Sequence, residues 1–409
     1  MKTTLSYPKN KISVLLLENV HKSAVSLFEK EGHSVTYHAK SLAEDELVKN
    51  IQNVSILGIR SRTQITKNVL EHAKHLLAIG VFGIGTNNID LTTAAQKGVT
   101  VFNAPYSSTR SVVELTIGNM LMLSRRVFEK NNKLQKGIWD KSTAGCHEIK
   151  GKTLGIIGYG TIGTQIGILA EMLGMNVCFY NTSEKPILGN AQKCKTLEEL
   201  LKKSDIITVH VDGKPANHNL ISDKEFQQMK HGALFLNASR GFVVDIPSLK
   251  KHLENGKIQG AAIDVFPKEP KSIDEPFISQ LQGIPNVILT PHIGGASEEG
   301  QKNIANFVPN KVIDYINTGN SMLSVNIPNI QLPKQGKTHR LLHLHKNTPG
   351  ILAQLNKIFA EYNINIVGQY LKTDENIGYV ITDVDKNYNK DIINVVKQIP
   401  NTTRLRVLY

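Results

Sequence analysis

The chain has 409 residues, 40% of them hydrophobic and 20% charged, with a formal net charge of +13. That length predicts two or three domains, and no apolar run approaches the ~20 residues needed to span a bilayer. Cys146, Cys178 and Cys194 are scattered, without C-x-x-C spacing, so they indicate neither a disulfide framework nor zinc and fit a reducing, cytoplasmic setting. The lysines are dispersed and not clustered. They read as a solvated surface whose field attracts anionic substrates, not as a nucleic-acid footprint. Ile12–Leu17 is too short for a signal-peptide core and reads as a first strand. Strands at Ile12–Leu17, Ser34–Tyr37, Val54–Ile59, Leu76–Ile79 and Val99–Phe102 alternate with helical patterns, one of them opening on a capping box at Ser41–Glu44. This alternation predicts a doubly wound, flavodoxin-like parallel sheet. A long helix is expected from Arg110 to about Lys130.

From Lys152 the alternation restarts, with strands expected at 153–157, 176–180, 205–210, 233–237, 259–264 and 286–289, and capping boxes at Thr196–Glu199 and Ser222–Glu225. Six strands complete a Rossmann dinucleotide domain. A helix from about Ser297 to Asn317 would return the chain to the first domain and make that domain discontinuous. Pro328, Pro333, Lys334, Gln335, Gly336 and Lys337 form a linker. Beyond it, Arg340–His345, Pro349–Tyr362, Ile364–Leu371, Ile377–Asp383, Asp391–Gln398 and Arg404–Leu408 read β-α-β-β-α-β, the ferredoxin-like order. The expected domains are thus residues 1–107 with 297–331, residues 108–296, and residues 338–409.

The first strand of the second domain ends in Gly158, Gly160 and Gly163, in G-x-G-x-x-G spacing and followed by a helix and a second strand. Gly158 allows the tight turn, Gly160 lets the backbone approach a pyrophosphate, and Gly163 lets the helix pack on the strand. The helix begins near Ile162, and its N-terminal N–H groups would face the phosphates. A weaker echo, Gly83–Asn88, lacks the third glycine. An acidic residue usually ends the second strand, where it binds the ribose 2′-hydroxyl. Here Asn181 stands, with Lys185 nearby. An amide still bonds a hydroxyl but does not repel a 2′-phosphate, so NAD is expected and NADP remains open.

Ligands in such sheets sit at the carboxyl ends of strands. His210, Asn237–Gly241, Asp264–Glu269 and Thr290–Gly295 all fall there. An Arg, a Glu and a His at these ends fit hydride transfer from an alcohol carbon. His292 would take the hydroxyl proton, Glu269 would orient the imidazole and raise its pKa, and Arg240 would grip a substrate carboxylate. No metal is called for.

These residues carry a resemblance that covers nearly the whole chain. Arg60-Ser-Arg-Thr63, Phe102-Asn-Ala-Pro105, Gly155–Gly160, Asn237–Gly241, Ala261–Pro267 and Leu289–Gly295 resemble the D-isomer-specific 2-hydroxyacid dehydrogenases. Among these, the chain is similar to the bacterial D-3-phosphoglycerate dehydrogenases that carry a C-terminal ACT domain. The resemblance implies Arg240, Glu269 and His292 as the catalytic trio, and Thr161, Ile162, Ala238, Ser239, Asp264, Gly294 and Gly295 beside the cofactor. It also implies oxidation of 3-phosphoglycerate at the entry to serine synthesis, with Arg60, Ser61 and Arg62 holding the phosphate. In the ACT unit it implies a serine site of His345, Asn347 and, from a neighbouring copy, Asn365, in a homotetramer. The sequence departs from relatives at Asn181, at His210-Val-Asp212 where a proline is usual, at Tyr106-Ser-Ser108 and at Lys346. Another D-2-hydroxyacid dehydrogenase, acting on 2-oxoglutarate or glyoxylate, and a dinucleotide-sensing corepressor are the alternatives. The arginine pair disfavours small neutral-tailed substrates, and the corepressor reading needs no ACT unit.

Overall fold

Runs of Ile, Leu, Val and Ala too short for helices become buried parallel strands, and the segments between them wind back as helices over both faces. The computed structural model describes residues 8–270, 274–334, 336, 338–385 and 391–408. It divides into two units, Met1–Ser107 with Gln301–Tyr409, and Ser108–Gly300.

In the first unit, β1 (Ser13–Leu16), β2 (Ser34–Tyr37), β3 (Ile56–Ile59), β4 (Ala78–Val81) and β5 (Thr100–Phe102) form a parallel sheet in the order β2-β1-β3-β4-β5. Its connecting helices are α1 (Ser23–Lys30), α2 (Glu44–Ile51), α3 (Lys67–His72) and α4 (Leu91–Gln96). Side chains alternate between faces, so Val14 and Leu16 enter one core while Leu15 and Leu17 enter the other. The β4 strand lies two residues later than expected. The capping box expected at Ser41–Glu44 does not form. Helix α2 starts at Glu44 behind Ala43, which makes no side-chain cap. Glu44 is drawn instead to the Thr66 hydroxyl and the Asn68 amide, 2.8 and 3.0 Å away.

The second unit opens with α5 (Thr109–Ser124) and α6 (Val127–Gln135). One helix was expected here. The chain breaks at Arg126, whose φ of 53° is left-handed and whose N–H closes a turn onto Leu123. The sheet comprises β6 (Thr153–Ile157), β7 (Asn176–Tyr180), β8 (Gln192–Lys193), β9 (Ile206–Val209), β10 (Ala233–Asn237), β11 (Ile258–Ile263) and β12 (Val287–Leu289). It is parallel throughout, in the order β12-β11-β10-β9-β6-β7-β8. The short edge strand β8 carries no periodic signal and was not expected. Helices α7 (Thr161–Met172), α8 (Leu197–Lys203), α9 (Asp223–Gln228) and α10 (Ile246–Glu254) cover the faces. The Ser222–Glu225 capping box forms in full. Thr196 caps α8, but Glu199 bonds the N–H of Lys195 in place of that of Thr196.

Helix α11 (Glu298–Thr318) leads back to the first unit. There β13 (His339–Lys346), α12 (Ile351–Glu361), β14 (Ile366–Thr373), β15 (Ile377–Val384), α13 (Asp391–Lys397) and β16 (Thr402–Leu408) form an antiparallel sheet in the order β14-β15-β13-β16. This is the ferredoxin-like topology. Gln335 and Lys337 of the expected linker lie outside the described residues.

The central strands of this last sheet, β13 and β15, are buried on both faces. Leu341, Val380 and Val384 pack under α12 and α13. Leu342, Leu344, Tyr379, Ile381 and Leu408 join the core built by β1, β3 and the α11 residues Val308 and Val312. Polar links reinforce that second face. Tyr379 donates to the Gly319 carbonyl at 2.6 Å, and Arg406 to that of Ile316 at 2.8 Å. Arg340, 2% exposed, forks onto Asp383 and bonds the carbonyls of Thr318 and Pro333. The linker is therefore not the only connection between the ferredoxin-like module and the parallel sheet. Among the described residues no helix is long and apolar enough to cross a membrane.

Candidate functional site

The glycine loop after β6 forms the strand-to-helix turn that a dinucleotide needs. Gly158 has φ +95°, and a Cβ there would lie 2.6 Å from the His210 carbonyl oxygen. A Cβ at Gly163 would lie 2.4 Å from the Gly158 carbonyl oxygen, whereas one at Gly160 would meet nothing within 4 Å. The loop is thus tight where it touches protein and open where a pyrophosphate would rest. Gly160 caps α7, which begins at Thr161 and Ile162, so its first N–H groups are free to bind an anion. Tyr159, between the two glycines, anchors the loop by stacking on Phe179 at 3.9 Å. Asn181 braces the same loop: its Oδ1 accepts the Tyr159 N–H at 3.0 Å while its Nδ2 donates to Ser183. His210 follows β9 and shares a 2.8 Å hydrogen bond with Thr208. Among the described residues its buried Nδ1 has no partner, and burial pushes the imidazole pKa down to about 3. These features fit a bound dinucleotide.

Three turns at neighbouring strand ends gather the reactive groups. After β10, Asn237 Oδ1 accepts both the N–H and the hydroxyl of Ser239, while its Nδ2 donates to the Arg240 carbonyl. This fold of the Asn237–Ala238–Ser239 turn aims Arg240, whose Nη1 also bonds the Ser239 carbonyl at 2.7 Å. Burial lowers the guanidinium pKa, and Glu269 and Asp212 oppose that effect. After β11, Asp264 is 2% exposed. Its carboxylate accepts the Thr290 hydroxyl at 2.5 Å and the N–H groups of Ile293 and Gly294 at 2.9 and 2.8 Å. The Asp264 carbonyl accepts the His292 N–H at 2.8 Å. These bonds hold His292 at φ 54°, a left-handed conformation costing a non-glycine residue about 1 kcal/mol or more. Gly294 is pressed against the same carboxylate, and Gly295 against Ser108.

His292 Nδ1 then meets Glu269 at 2.9 and 3.1 Å, and Glu269 also accepts the Phe266 N–H. The Glu269 bond outweighs desolvation and raises the imidazole pKa. Burial pushes the Glu269 carboxyl up, but the His292 bond and charge, the Phe266 N–H and the Arg240 charge together bring it below the usual range. The pair is a charge-stabilised imidazole with Nε2 left to exchange a proton.

The other expected groups lie in the first unit. Arg60 directly follows β3. It is half-buried, Ser61 and Arg62 are exposed, and neither guanidinium has an ion-pair partner among the described residues. In the ferredoxin-like module, His345 is 2% exposed, with its ring 5.1 Å from that of His343 and against Gly378, and burial lowers its pKa. Asn347 is exposed and donates to the Asp374 carbonyl at 2.6 Å. The exposed Asn365 accepts the Asp385 N–H through its carbonyl. No hydrogen bond joins its side chain to the other two among the described residues. The sequence reading did not single out Asn237, Thr290, Glu18 or Asn88. Each is a polar residue at a strand end or turn, a signal too common to select without coordinates.

Comparison with known proteins bears on this geometry. The D-isomer specific 2-hydroxyacid dehydrogenase, NAD binding domain, matches residues 117–294, and the AHAS small subunit-like ACT domain matches residues 341–403. The chain is 48% identical to a D-3-phosphoglycerate dehydrogenase of Haemophilus influenzae over 100% of both chains. It is 47% identical to one of Escherichia coli over 99% of both. The solved D-lactate dehydrogenase of Aquifex aeolicus, complexed with NAD and lactic acid, is 25% identical with a TM-score of 0.66, covering 75% of this chain and 95% of that one.

The His292–Glu269 pair sets a pH dependence. To accept a hydroxyl proton His292 must be neutral, so its raised pKa places the acid limb of hydroxyl oxidation above the ordinary imidazole range of about 6.5. Glu269→Gln removes the charge that raises it. The acid limb of kcat/KM should move to lower pH, and the maximal rate should fall. An unmoved limb in a pH–rate profile would dissolve the pairing.

Proposed function

The chain belongs to the D-3-phosphoglycerate dehydrogenases, within the D-isomer-specific 2-hydroxyacid dehydrogenases, and on that premise we propose that it oxidises 3-phosphoglycerate to 3-phosphohydroxypyruvate with NAD, opening serine synthesis. The observation that carries this is the Glu269–His292 hydrogen bond next to the Arg240 charge, at the strand ends of a nucleotide fold. When bound, a nicotinamide would supply the hydride acceptor. Gly158, Gly160, Gly163 and the start of α7 would hold the pyrophosphate, with His210, Ala238 and Ser239 further along the strand ends. Arg240 grips the substrate carboxylate and polarises the oxygen at the reacting carbon. His292 takes the hydroxyl proton on Nε2, and Glu269 stabilises the imidazolium that results. A positioned acid–base group supplies about 10²–10⁴-fold. Arg60, with Ser61 and Arg62, binds the phosphate, which selects against unphosphorylated 2-hydroxy acids.

The nucleotide domain uses NAD(H). We read its rejection of NADP as weak, because Asn181 places no charge where a 2′-phosphate would lie. Serine is the effector we assign to the ACT module, through His345 and Asn347 with Asn365 of another copy. We propose a homotetramer, a reading supported by exposed apolar side chains in two separate segments. One is Leu134, Ile138 and Trp139, the last 73% exposed. The other is Val367 and Tyr370 on the edge strand β14. Unpaired cysteines suit the cytoplasm.

Arg60→Ala should raise KM for 3-phosphoglycerate by roughly 10- to 150-fold, the worth of a charged hydrogen bond, and far less for D-glycerate. Equal losses on both substrates would remove the phosphate from Arg60. With Asn181→Asp, the ratio of kcat/KM for NAD over NADP should rise. If the wild-type ratio already spans several orders of magnitude, discrimination lies elsewhere. Serine inhibition is best tested in the full chain, because deleting the module would bare the core face of its sheet. Asn347→Ala should abolish inhibition and leave uninhibited turnover intact. Inhibition that persists unchanged would place the serine site elsewhere.

A further inference from the structure

The arginines assigned to the phosphate sit on a loop that has no secondary structure of its own. A guanidinium selects an anion only if its backbone is fixed, so something must hold residues 60–63 in place. Two side chains from other parts of the fold do so. Glu18 accepts the N–H of Arg62 on one carboxylate oxygen, at 2.9 Å, and the N–H of Thr63 on the other, at 2.8 Å. From the other side, Asn88 donates to the carbonyls of Arg60 and Thr63, at 3.2 and 2.8 Å. Glu18 is 7% exposed and Asn88 is 9% exposed. Every one of these bonds goes to the loop backbone, which leaves the two guanidinium groups free for a ligand.

The position of Glu18 is unusual in two respects. It lies just past the carboxyl end of β1, and Arg60 lies just past that of β3. These strands are neighbours, with β2 on the far side of β1, so this is the point where the strand order reverses. Such a switch point is where open α/β sheets bind ligands. Glu18 and Asn19 also both adopt positive φ, 63° and 51°. That local conformation turns the chain at the end of β1. It persists because Glu18 N–H bonds the Lys40 carbonyl and Asn19 accepts the Tyr37 hydroxyl.

We propose that Glu18 is a positioning residue for substrate recognition: its carboxylate, opposed by Asn88, clamps the backbone of residues 60–63 so that Arg60 meets the substrate phosphate. The proposal rests on the assignment of Arg60 to the phosphate. It also inverts the simple electrostatic expectation. A carboxylate beside an anion-binding loop repels the anion, so its neutralisation alone would tighten phosphate binding. As a clamp, its neutralisation loosens it, because a glutamine presents an N–H₂ group to one of two backbone N–H donors and leaves that donor unpaired.

The test uses the full-length protein and compares Glu18→Gln, Arg60→Ala and the double variant. KM and kcat are measured with 3-phosphoglycerate and with D-glycerate, alongside NADH affinity and the thermal midpoint. Glu18→Gln should raise KM for 3-phosphoglycerate about tenfold or more. Its kcat, its KM for D-glycerate and its NADH affinity should stay near wild type. In the Arg60→Ala background it should add little, since it acts through that arginine. Should Glu18→Gln fold poorly, Asn88→Ala cuts the opposite brace and should give the same selective loss. A KM that is unchanged or lower overturns the clamp, as do additive losses or equal losses on both substrates. If Arg60→Ala shows no selectivity for the phosphorylated substrate, the phosphate assignment itself falls and the clamp falls with it. If only Glu18→Gln and Asn88→Ala lack the effect, the assignment stands and the clamp alone is wrong.

Discussion

One buried carboxylate organises the chemistry of the nucleotide unit. Asp264 lies out of solvent and satisfies its oxygens with a hydroxyl and two backbone N–H groups from a single short turn. A carboxylate withdrawn from water must be hydrogen-bonded or its burial is prohibitive, so the turn has little freedom to relax. That rigidity carries the cost of the left-handed His292 backbone. It also brings the imidazole to Glu269, whose own carboxylate is tethered by the Phe266 N–H. Three consecutive strand ends, those of β10, β11 and β12, thereby act as one assembly. Their register in the sheet, with Asn237 opposite Ile263 and Ile263 opposite Leu289, fixes the spacing of the turns they launch.

Most of the architecture could be read from periodicity. Buried parallel strands are uninterrupted apolar runs, and several of the helices between them start at polar caps, so both sheets and the βαββαβ module were legible. The departures share a physical origin in local competition. Ser41 and Glu44 have the spacing of a capping box, yet Glu44 finds better donors in Thr66 and Asn68 on a distant segment. The apolar pattern after residue 110 continues past Arg126, and nothing in its period announces a residue that turns left-handed. Strand β8 is two residues long and owes its existence to β7 alone.

The candidate site was legible to a different degree. Glu269 and His292 could be paired in advance because both follow apolar runs that must be neighbouring strands. Arg240 followed by the same logic. The groups that hold them were not legible, because Asn237 and Thr290 act through backbone hydrogen bonds, and any Asx or Thr at a turn has the same appearance in sequence. The ACT residues show a further limit. His345 was expected to meet a ligand, yet in one chain its ring is packed against Gly378 and His343. Sequence gives the residue types of such a site but not its accessibility.

The two-faced burial of the ferredoxin-like sheet has an evolutionary consequence. A module that brings its whole core with it can be exchanged between enzymes as a cassette. Here alternate positions of β13, β15 and β16 serve the neighbouring domain's interior, meeting Val308, Val312 and Tyr315 of α11. A transplanted module from another protein would bring its own helix-facing residues but the wrong opposite face. Its recipient would face voids and overlaps of the kind that cost cores several kcal/mol. Substitutions on that face and in α11 are therefore coupled through one shared core, and the ferredoxin-like module of this chain packs as part of its neighbour.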